Sequence, residues 1–212
     1  MTRKTMEIFY KFSSKGYLTT FSARAILFDA ALSDNNSELG GQIMDDLIKG
    51  RYAGYTFPLV FRQTESGRNL RDVLDTRYPP AYLISDRMKS LLEAHCITGW
   101  SCYPIELYDK KNARITGYHG FSITGRAGAM DMSNQPIGEK RYREDGPVRK
   151  VYKGGYFDID TWDGSDFFIL DNSYWVIVTA RVVELLKKNK ITALEFERLS
   201  DMELSYSLFH RE

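Results

Sequence analysis

The sequence has few of the residues that build metal and redox sites, since its 212 residues include two cysteines and three histidines. Cys96 and Cys102 have five residues between them, a spacing that is neither a CxxC redox pair nor half of a usual zinc knuckle. We therefore expect buried free thiols rather than a disulfide or a pair of metal ligands. The sequence predicts no catalytic residue, no metal site and no cofactor.

Charge of one sign and long apolar runs are also missing. Lys and Arg number 29 against 28 Asp and Glu, for a formal charge of +1, so no long-range field favours nucleic acid or an anionic membrane. The longest apolar runs, such as residues 175–178, fall far short of the roughly 20 residues that span a bilayer. Residues 1–12 lack the apolar core and cleavage site of a signal peptide. We expect a cytoplasmic protein with neither a membrane nor a nucleic-acid partner.

An internal repeat with an offset of 94 residues organises the C-terminal half of the chain, where residues 83–104 align with residues 177–198 without a gap. Each copy has a short apolar run, a Ser or Thr suited to start a helix, an amphipathic stretch and a second apolar run. Ser85 and Thr179 are the predicted N-caps. The pattern predicts two strand-helix-strand units.

The whole pattern predicts an α+β fold, with a mixed or antiparallel sheet, the two repeated strand-helix-strand units and a helical N-terminal layer. The predicted N-terminal helices cover residues 22–32 and 37–49. A soft boundary separates an N-terminal α/β subdomain, residues 1–76, from a repeat domain, residues 77–212, and one compact unit is the alternative. Residues 125–155 are rich in Gly, Asn, Pro and charge, which predicts long loops with at most one short strand.

Two arginines occupy equivalent positions in the repeat. Arg87 and Arg181 each follow the predicted N-cap by two residues, where the helix dipole does not favour a cation. We therefore predict that each arginine pairs with a carboxylate of the sheet. His95, near the end of the first helix, is expected to cap the last carbonyl groups or to complement the dipole.

The most acidic stretch, residues 158–166, contains four aspartates. A calcium-binding loop with this spacing would need Glu where Ile169 stands. Alternation along a strand instead predicts an exposed acidic-aromatic ridge. This ridge is a solvated surface or a contact for a basic partner, with metal binding as a third alternative. The candidate partner-binding residues are Tyr156, Asp158, Asp160, Trp162, Asp163 and Asp166.

A basic stretch with interleaved tyrosines, residues 139–153, precedes the ridge. Its cations are Lys140, Arg141, Arg143, Arg149, Lys150 and Lys153. Such a pattern can grip phosphates or bases, but Glu139, Glu144 and Asp145 dilute its charge. We therefore favour a charged loop rather than a nucleic-acid site. This loop either packs near the ridge or is hydrated.

An enzyme or a small-ligand receptor is the alternative from another functional class. It would use Cys102, His119 and the cleft between the two repeat units. The sequence does not identify a third group that would orient a pair formed by Cys102 and His119. Self-association through exposed Tyr and Trp side chains is a further hypothesis.

The string YLISDRMKSLLEAHCITGW, residues 82–100, resembles the signature of immunity protein family eleven, which runs strand, Ser, Arg-Leu, helix, Gly-leucine turn. Further stretches that fit the order of that family are residues 103–107, 163–170, 176–186 and 191–196. The resemblance covers roughly residues 78–198. Ala193 stands where the second copy usually has Gly.

The resemblance implies a cytoplasmic protein of a bacterial polymorphic-toxin system, which binds a cognate toxin domain and blocks it without catalysis or a cofactor. Immunity proteins that inhibit nucleases are often acidic, because that charge steers them toward basic active sites. This chain is near neutral, so either the ridge supplies the charge or the toxin is not a nuclease. The leading hypothesis is a non-catalytic binding protein whose ridge contacts the toxin.

Overall fold

The computed structural model describes residues 8–16, 19–27, 37–76, 80–133, 135–171 and 173–206. Within these residues the helices are α1 (Ser37–Lys49), α2 (Asp86–Ala94) and α3 (Ala180–Lys188). The strands are β1 (Phe9–Ser14), β2 (Ala23–Ala25), β3 (Leu59–Gln63), β4 (Val73–Asp75), β5 (Tyr82–Ser85), β6 (Trp100–Tyr103), β7 (Ile105–Tyr108), β8 (Arg114–Ile115), β9 (Tyr118–Ile123), β10 (Gly125–Ala127), β11 (Ile137–Arg141), β12 (Val148–Lys153), β13 (Phe167–Leu170), β14 (Val176–Thr179), β15 (Leu194–Arg198) and β16 (Glu203–Ser205). The predicted α+β class is confirmed.

Two of the sheets are built alike. One has the strand order β4-β5-β9-β6, and another has the order β13-β14-β1-β15 with β10 added beside β13. In the first sheet β5 and β6 both pair antiparallel with β9; in the second, β14 and β15 both pair antiparallel with β1. Helices α2 and α3 therefore each connect two strands that run in the same direction on either side of a third strand. This arrangement is a split βαβ unit.

Aromatic rings from both split units meet in one core. Phe12 of β1 and Phe121 of β9 have ring centroids 6.5 Å apart. Both rings also form T-shaped contacts with the ring of Phe167, with centroids 5.7 and 5.4 Å apart. Edge-to-face contacts of this kind add to the free energy of apolar burial. The two units therefore share a hydrophobic core that includes the buried faces of both helices.

The helices bury the faces that their spacing predicts. Met88 and Leu92 of α2 are buried, as are Val182 and Leu186 of α3, because side chains four residues apart lie on one helix face. Burial of each such side chain stabilises the fold by about 1.5–3 kcal/mol. Helix α1 has the predicted bounds and is followed by Gly50, whose φ of 73° ends the helix without the strain that a Cβ atom would add.

The prediction of a helix over residues 22–32 is wrong at its start, where Ala23–Ala25 forms strand β2. This strand pairs antiparallel with residues 61–63 of β3. Ala23 and Ala25 are buried on one side of the strand, so pairing with the sheet overrides the helix propensity of alanine. Residues 28–32 of the predicted helix lie outside the described residues.

The prediction of at most one short strand in residues 125–155 is also wrong, because β10, β11 and β12 lie there. Strand β10 runs parallel to β13, whereas β11 and β12 form a hairpin that β16 extends. None of the side chains of β11 is buried. The alternation of apolar and polar residues that identifies a strand is therefore missing from this segment.

Strands from the first 76 residues pair with strands from the rest of the chain. Strand β1 lies between β14 and β15, β3 runs parallel to β7, and β4 pairs with β5. Hydrogen-bonded ladders therefore cross the predicted soft boundary in three different sheets.

Candidate functional site

The acidic-aromatic ridge is a turn and not an extended strand, so the prediction of alternating faces is wrong. Residues 159–161 form one turn of 3₁₀ helix, and Asp158 is its N-cap. The Asp158 Oδ1 atom accepts a hydrogen bond of 3.1 Å from the backbone N–H of Asp160. The Thr161 hydroxyl donates to the Asp158 carbonyl at 2.5 Å. Asp and Thr side chains that bond to nearby backbone in this way favour turns over strands.

Trp162 anchors the turn to a second hydrophobic cluster and is only half-buried. Its ring lies 5.1 Å from the ring of Phe9 and 5.7 Å from that of Phe168, between centroids. Its indole N–H donates to the Ser165 carbonyl at 3.0 Å. Tyr156, at the start of the ridge, is also half-buried. The side chains of Tyr156 and Trp162 therefore pack against the hydrophobic cluster and are not fully exposed on the ridge.

The exposed carboxylates of the ridge are those of Asp158, Asp160 and Asp163. Asp163 Oδ2 accepts from the Arg126 N–H at 2.8 Å, and its Oδ1 accepts from the Ser165 N–H at 2.9 Å. The Asp160 carboxylate has no hydrogen bond or ion pair within the described part of the chain. Residues 158–163, which we call the acidic turn, therefore contain four of the six predicted site residues, and three of these are exposed aspartates.

Asp166 is separated from this surface, because its side chain is buried at 7% exposure. Its carboxylate accepts hydrogen bonds from the Thr98 N–H at 3.1 Å and the Thr179 hydroxyl at 3.0 Å. The Arg181 guanidinium forms an ion pair with it at 3.0 Å. A buried carboxylate needs such donors in place of water, which leaves no free side for a partner protein.

Asp72 makes the equivalent contacts in the first unit, at the same offset of 94 residues. It accepts from the Ser85 hydroxyl at 2.9 Å, the Thr192 N–H at 2.9 Å and Arg87 Nη1 at 3.0 Å. Thr192 belongs to the second unit, just as Thr98 belongs to the first. We call these two groups the Asp–Arg clamps, because each carboxylate holds its own unit to the turn after the helix of the other unit.

The arginines complete the clamps across the two units. The second guanidinium nitrogen of Arg87 donates to the Asn189 carbonyl at the end of α3, and that of Arg181 donates to the His95 carbonyl at the end of α2. The predicted pairing of both arginines with carboxylates is confirmed. Their contacts with the opposite helix were not predicted, although an extension of the repeat upstream to Asp72 and Asp166 would have indicated the carboxylates.

The predicted helix caps differ between the units. Ser85 is the N-cap of α2, and its hydroxyl oxygen accepts from the Met88 N–H at 3.2 Å, as predicted. Thr179 is the N-cap residue of α3, but its hydroxyl makes no cap hydrogen bond and donates to Asp166. His95 is the C-cap residue of α2 and is exposed. Donation to the clamp carboxylate does not exclude capping, because the Ser85 hydroxyl donates to Asp72 and accepts from the Met88 N–H at the same time.

The basic stretch lies mostly on the β11–β12 hairpin, where several of its cations already have partners. Lys140 and Lys153 both form ion pairs with Glu203 of β16, and these contacts lower the pKa of Glu203 to about 2. The Arg141 guanidinium donates to the Gly146 carbonyl of the hairpin turn at 3.0 Å. The hairpin therefore uses part of its charge to hold its own strands together.

The environment of Cys102 and His119 does not support a nucleophile pair. Burial raises the pKa of Cys102 to about 12, which disfavours the reactive thiolate. His119 Nε2 forms a hydrogen bond of 2.6 Å with the exposed Asp86 carboxylate. In the described residues no hydrogen bond joins His119 to Cys102, which pairs with Phe121 across the sheet. Both cysteines are free as expected, but Cys96 is exposed, so the prediction that it is buried is wrong.

No group of three or more His, Cys, Asp or Glu side chains that could hold a metal ion occurs in the part of the chain that the structure describes. Over the same residues, no helix is both long enough and apolar enough to cross a membrane.

The model of the Immunity protein family (Imm11) matches residues 20–201 of the chain. The matched residues include both Asp–Arg clamps, both helices of the split units and the acidic turn. A comparison with curated proteins found no match.

Proposed function

Because the chain belongs to the Immunity protein family (Imm11), we propose that it is a non-catalytic protein that binds a cognate bacterial toxin domain directly and neutralises it in the cytoplasm. The family match over residues 20–201 is the observation that carries this proposal. The raised pKa of the Cys102 thiol also supports the non-catalytic part of the proposal, because a thiol held in its protonated form is a poor nucleophile.

The proposed contact with the toxin is the acidic turn, residues 158–163. Its three exposed carboxylates are concentrated in a chain that is otherwise nearly neutral. Local charge of this kind accelerates and orients the approach of a basic partner. The hydrogen bonds of Asp158 and Asp163 to backbone N–H groups hold the turn in one conformation. A surface that is already ordered loses less conformational entropy when it binds.

The function is tested by co-expression of the chain with the toxin-like product of a neighbouring gene. We expect growth to be restored in cells that make both proteins, and a stoichiometric complex to be recovered when both are purified together. A toxin-like neighbour that kills equally well with and without the chain, and that does not bind it in vitro, would contradict the proposal for that pair.

The contact surface is tested separately by Asp160→Lys, with Glu184→Lys as the matched control. Asp160 has no partner in the described residues, so its reversal should leave the fold intact and weaken toxin binding by about tenfold or more. Glu184 is an exposed residue of α3, and the same charge change there should alter the dissociation constant by less than about twofold. Equal effects of the two variants would place the contact elsewhere without affecting the immunity function itself.

A further inference from the structure

A cleft of about 380 Å³ lies between the loop of residues 64–70 and the turn between β7 and β8. Its apolar lining comes from Phe21, Leu70 and Ile115, and its cations are Arg68, Lys110 and Lys111. Leu70 is 46% exposed, which is a large exposure for an apolar side chain in a concave site. A cleft of this size, mostly apolar with a few charged groups, is typical of small-ligand sites.

Hydrogen bonds from one amide side chain hold both walls of the cleft. The Gln63 Nε2 atom donates to the carbonyl groups of Glu65 and Gly67, at 2.9 and 2.6 Å. Gln63 Oε1 accepts from the Lys110 N–H at 3.2 Å. The loop and the turn are therefore joined through Gln63, and the cleft is formed before any ligand enters.

The charges of the cleft are not balanced. The acidic residue among those that line it is Asp109, whose Oδ1 atom accepts from the N–H groups of Lys111 and Ala113, both at 2.8 Å. This carboxylate is therefore used to shape the turn. The side chains of Arg68, Lys110 and Lys111 have no ion pair within the residues that the structure describes. Three cations beside an apolar wall favour a ligand that is both anionic and apolar.

We propose that this cleft binds a small amphiphilic anion. Its carboxylate or phosphate group lies beside Lys110, Lys111 and Arg68, and its aromatic or aliphatic part packs against Leu70 and Ile115. This site shares no residue with the acidic turn. Its ligand is an anion, whereas the proposed toxin surface is basic, so the site goes beyond the proposed immunity function.

Calorimetric titration of the full chain with phenylbutyrate, phenylbutyl phosphate and neutral phenylbutanol tests this site. The three probes share one apolar part, so differences between them measure the contribution of the anionic group. We expect at least one anion to bind about tenfold or more tightly than the alcohol, which corresponds to one charge-assisted hydrogen bond. The tighter anion of the two identifies the preferred head group.

The double variant Lys110→Gln, Lys111→Gln should remove most of that preference. Both side chains are exposed, so the melting temperature should stay unchanged. The matched control is Lys187→Gln, Lys188→Gln, which removes two exposed charges from the last turn of α3 and should leave the preference intact. Equal affinity for the anions and the alcohol, equal effects of the two double variants, or no binding of any probe at millimolar concentration would overturn the proposal.

Discussion

Single residues matter most in this fold where a charge is buried. Asp166 is 7% exposed and accepts hydrogen bonds from Thr98 and Thr179 besides its ion pair with Arg181. The sequence placed Asp166 with the exposed carboxylates, because the spacing of aspartates does not reveal a donor 68 residues away along the chain. The exposure of Asp158, Asp160 and Asp163 could be predicted from the local pattern, but the hydrogen bond from the Arg126 N–H to Asp163, across 37 residues of chain, could not.

Loss of the Asp166 carboxylate should therefore affect folding. We expect Asp166→Ala to lower the free energy of unfolding by about 1–3 kcal/mol, because partly buried donors of Thr98, Thr179 and Arg181 lose their acceptor. Arg181→Ala should cost about 1 kcal/mol or less, since 56% of that side chain is exposed and solvent screens its charge. Urea unfolding measures both, and Asp72→Ala should match Asp166→Ala. A change below about 0.5 kcal/mol for Asp166→Ala would contradict this role.

Glu203 should give the stability a dependence on acidic pH. The hydrogen bonds from Lys140 and Lys153 lower its pKa from the ordinary value of 4.5 to about 2 in the folded protein. Because the folded pKa is the lower one, the stabilisation is complete above about pH 4.5 and is lost as the pH falls toward 2. We expect the melting temperature to fall more steeply over this range than in Glu203→Gln. The two curves should converge at the acid end.

Calorimetry at low ionic strength suits this measurement, because salt screens exposed ion pairs. Added salt should reduce the difference between the native protein and Glu203→Gln at neutral pH. Parallel pH profiles for the two proteins would show that the ion pairs with Lys140 and Lys153 contribute nothing measurable.

Elements of structure were predictable where burial leaves a periodic pattern. The helices of the split units have the expected apolar spacing. Strands β13 and β14 have continuous apolar runs, which are typical of strands buried on both faces. The hairpin of β11 and β12 was missed, since charged side chains occupy most of β11. The order of the strands could not be read from the sequence either. Strand β1 enters its sheet from the far end of the chain, and no local pattern encodes that pairing.

A Cβ atom should be unfavourable in the turns after both α2 and α3, so adding it to one turn and removing it from the other should have opposite effects on stability. Gly99 and Ala193 hold equivalent positions, with φ of 80° and 64°. A Cβ atom on Gly99 would clash with the Phe167 carbonyl oxygen, so Gly99→Ala should destabilise the fold by about 1–3 kcal/mol. Ala193→Gly should stabilise it by up to about 1 kcal/mol, because it relieves left-handed backbone strain. Chemical denaturation measures both changes, and a loss of stability in Ala193→Gly would contradict this explanation.

Across the whole molecule, strand pairing connects residues before position 77 with the rest of the chain in three sheets. Strand β1 is the central example, because it fills the space between β14 and β15. It also contributes Phe9 to one hydrophobic cluster and Phe12 to the other. A separate C-terminal domain would have to leave β14 and β15 unpaired along this gap and expose apolar surface on both sides of the sheet.

We therefore expect the full chain to unfold in one cooperative transition. Far-ultraviolet circular dichroism should report the same midpoint as the fluorescence of Trp100, Trp162 and Trp175, which pack against the two hydrophobic clusters. A fragment of residues 77–212 should lack a cooperative transition or aggregate through its unpaired strands, and added fragment 1–76 should restore part of the native signal. A cooperative transition of fragment 77–212 alone would instead establish it as an independent domain, because one stable core would then exist without β1, β3 and β4.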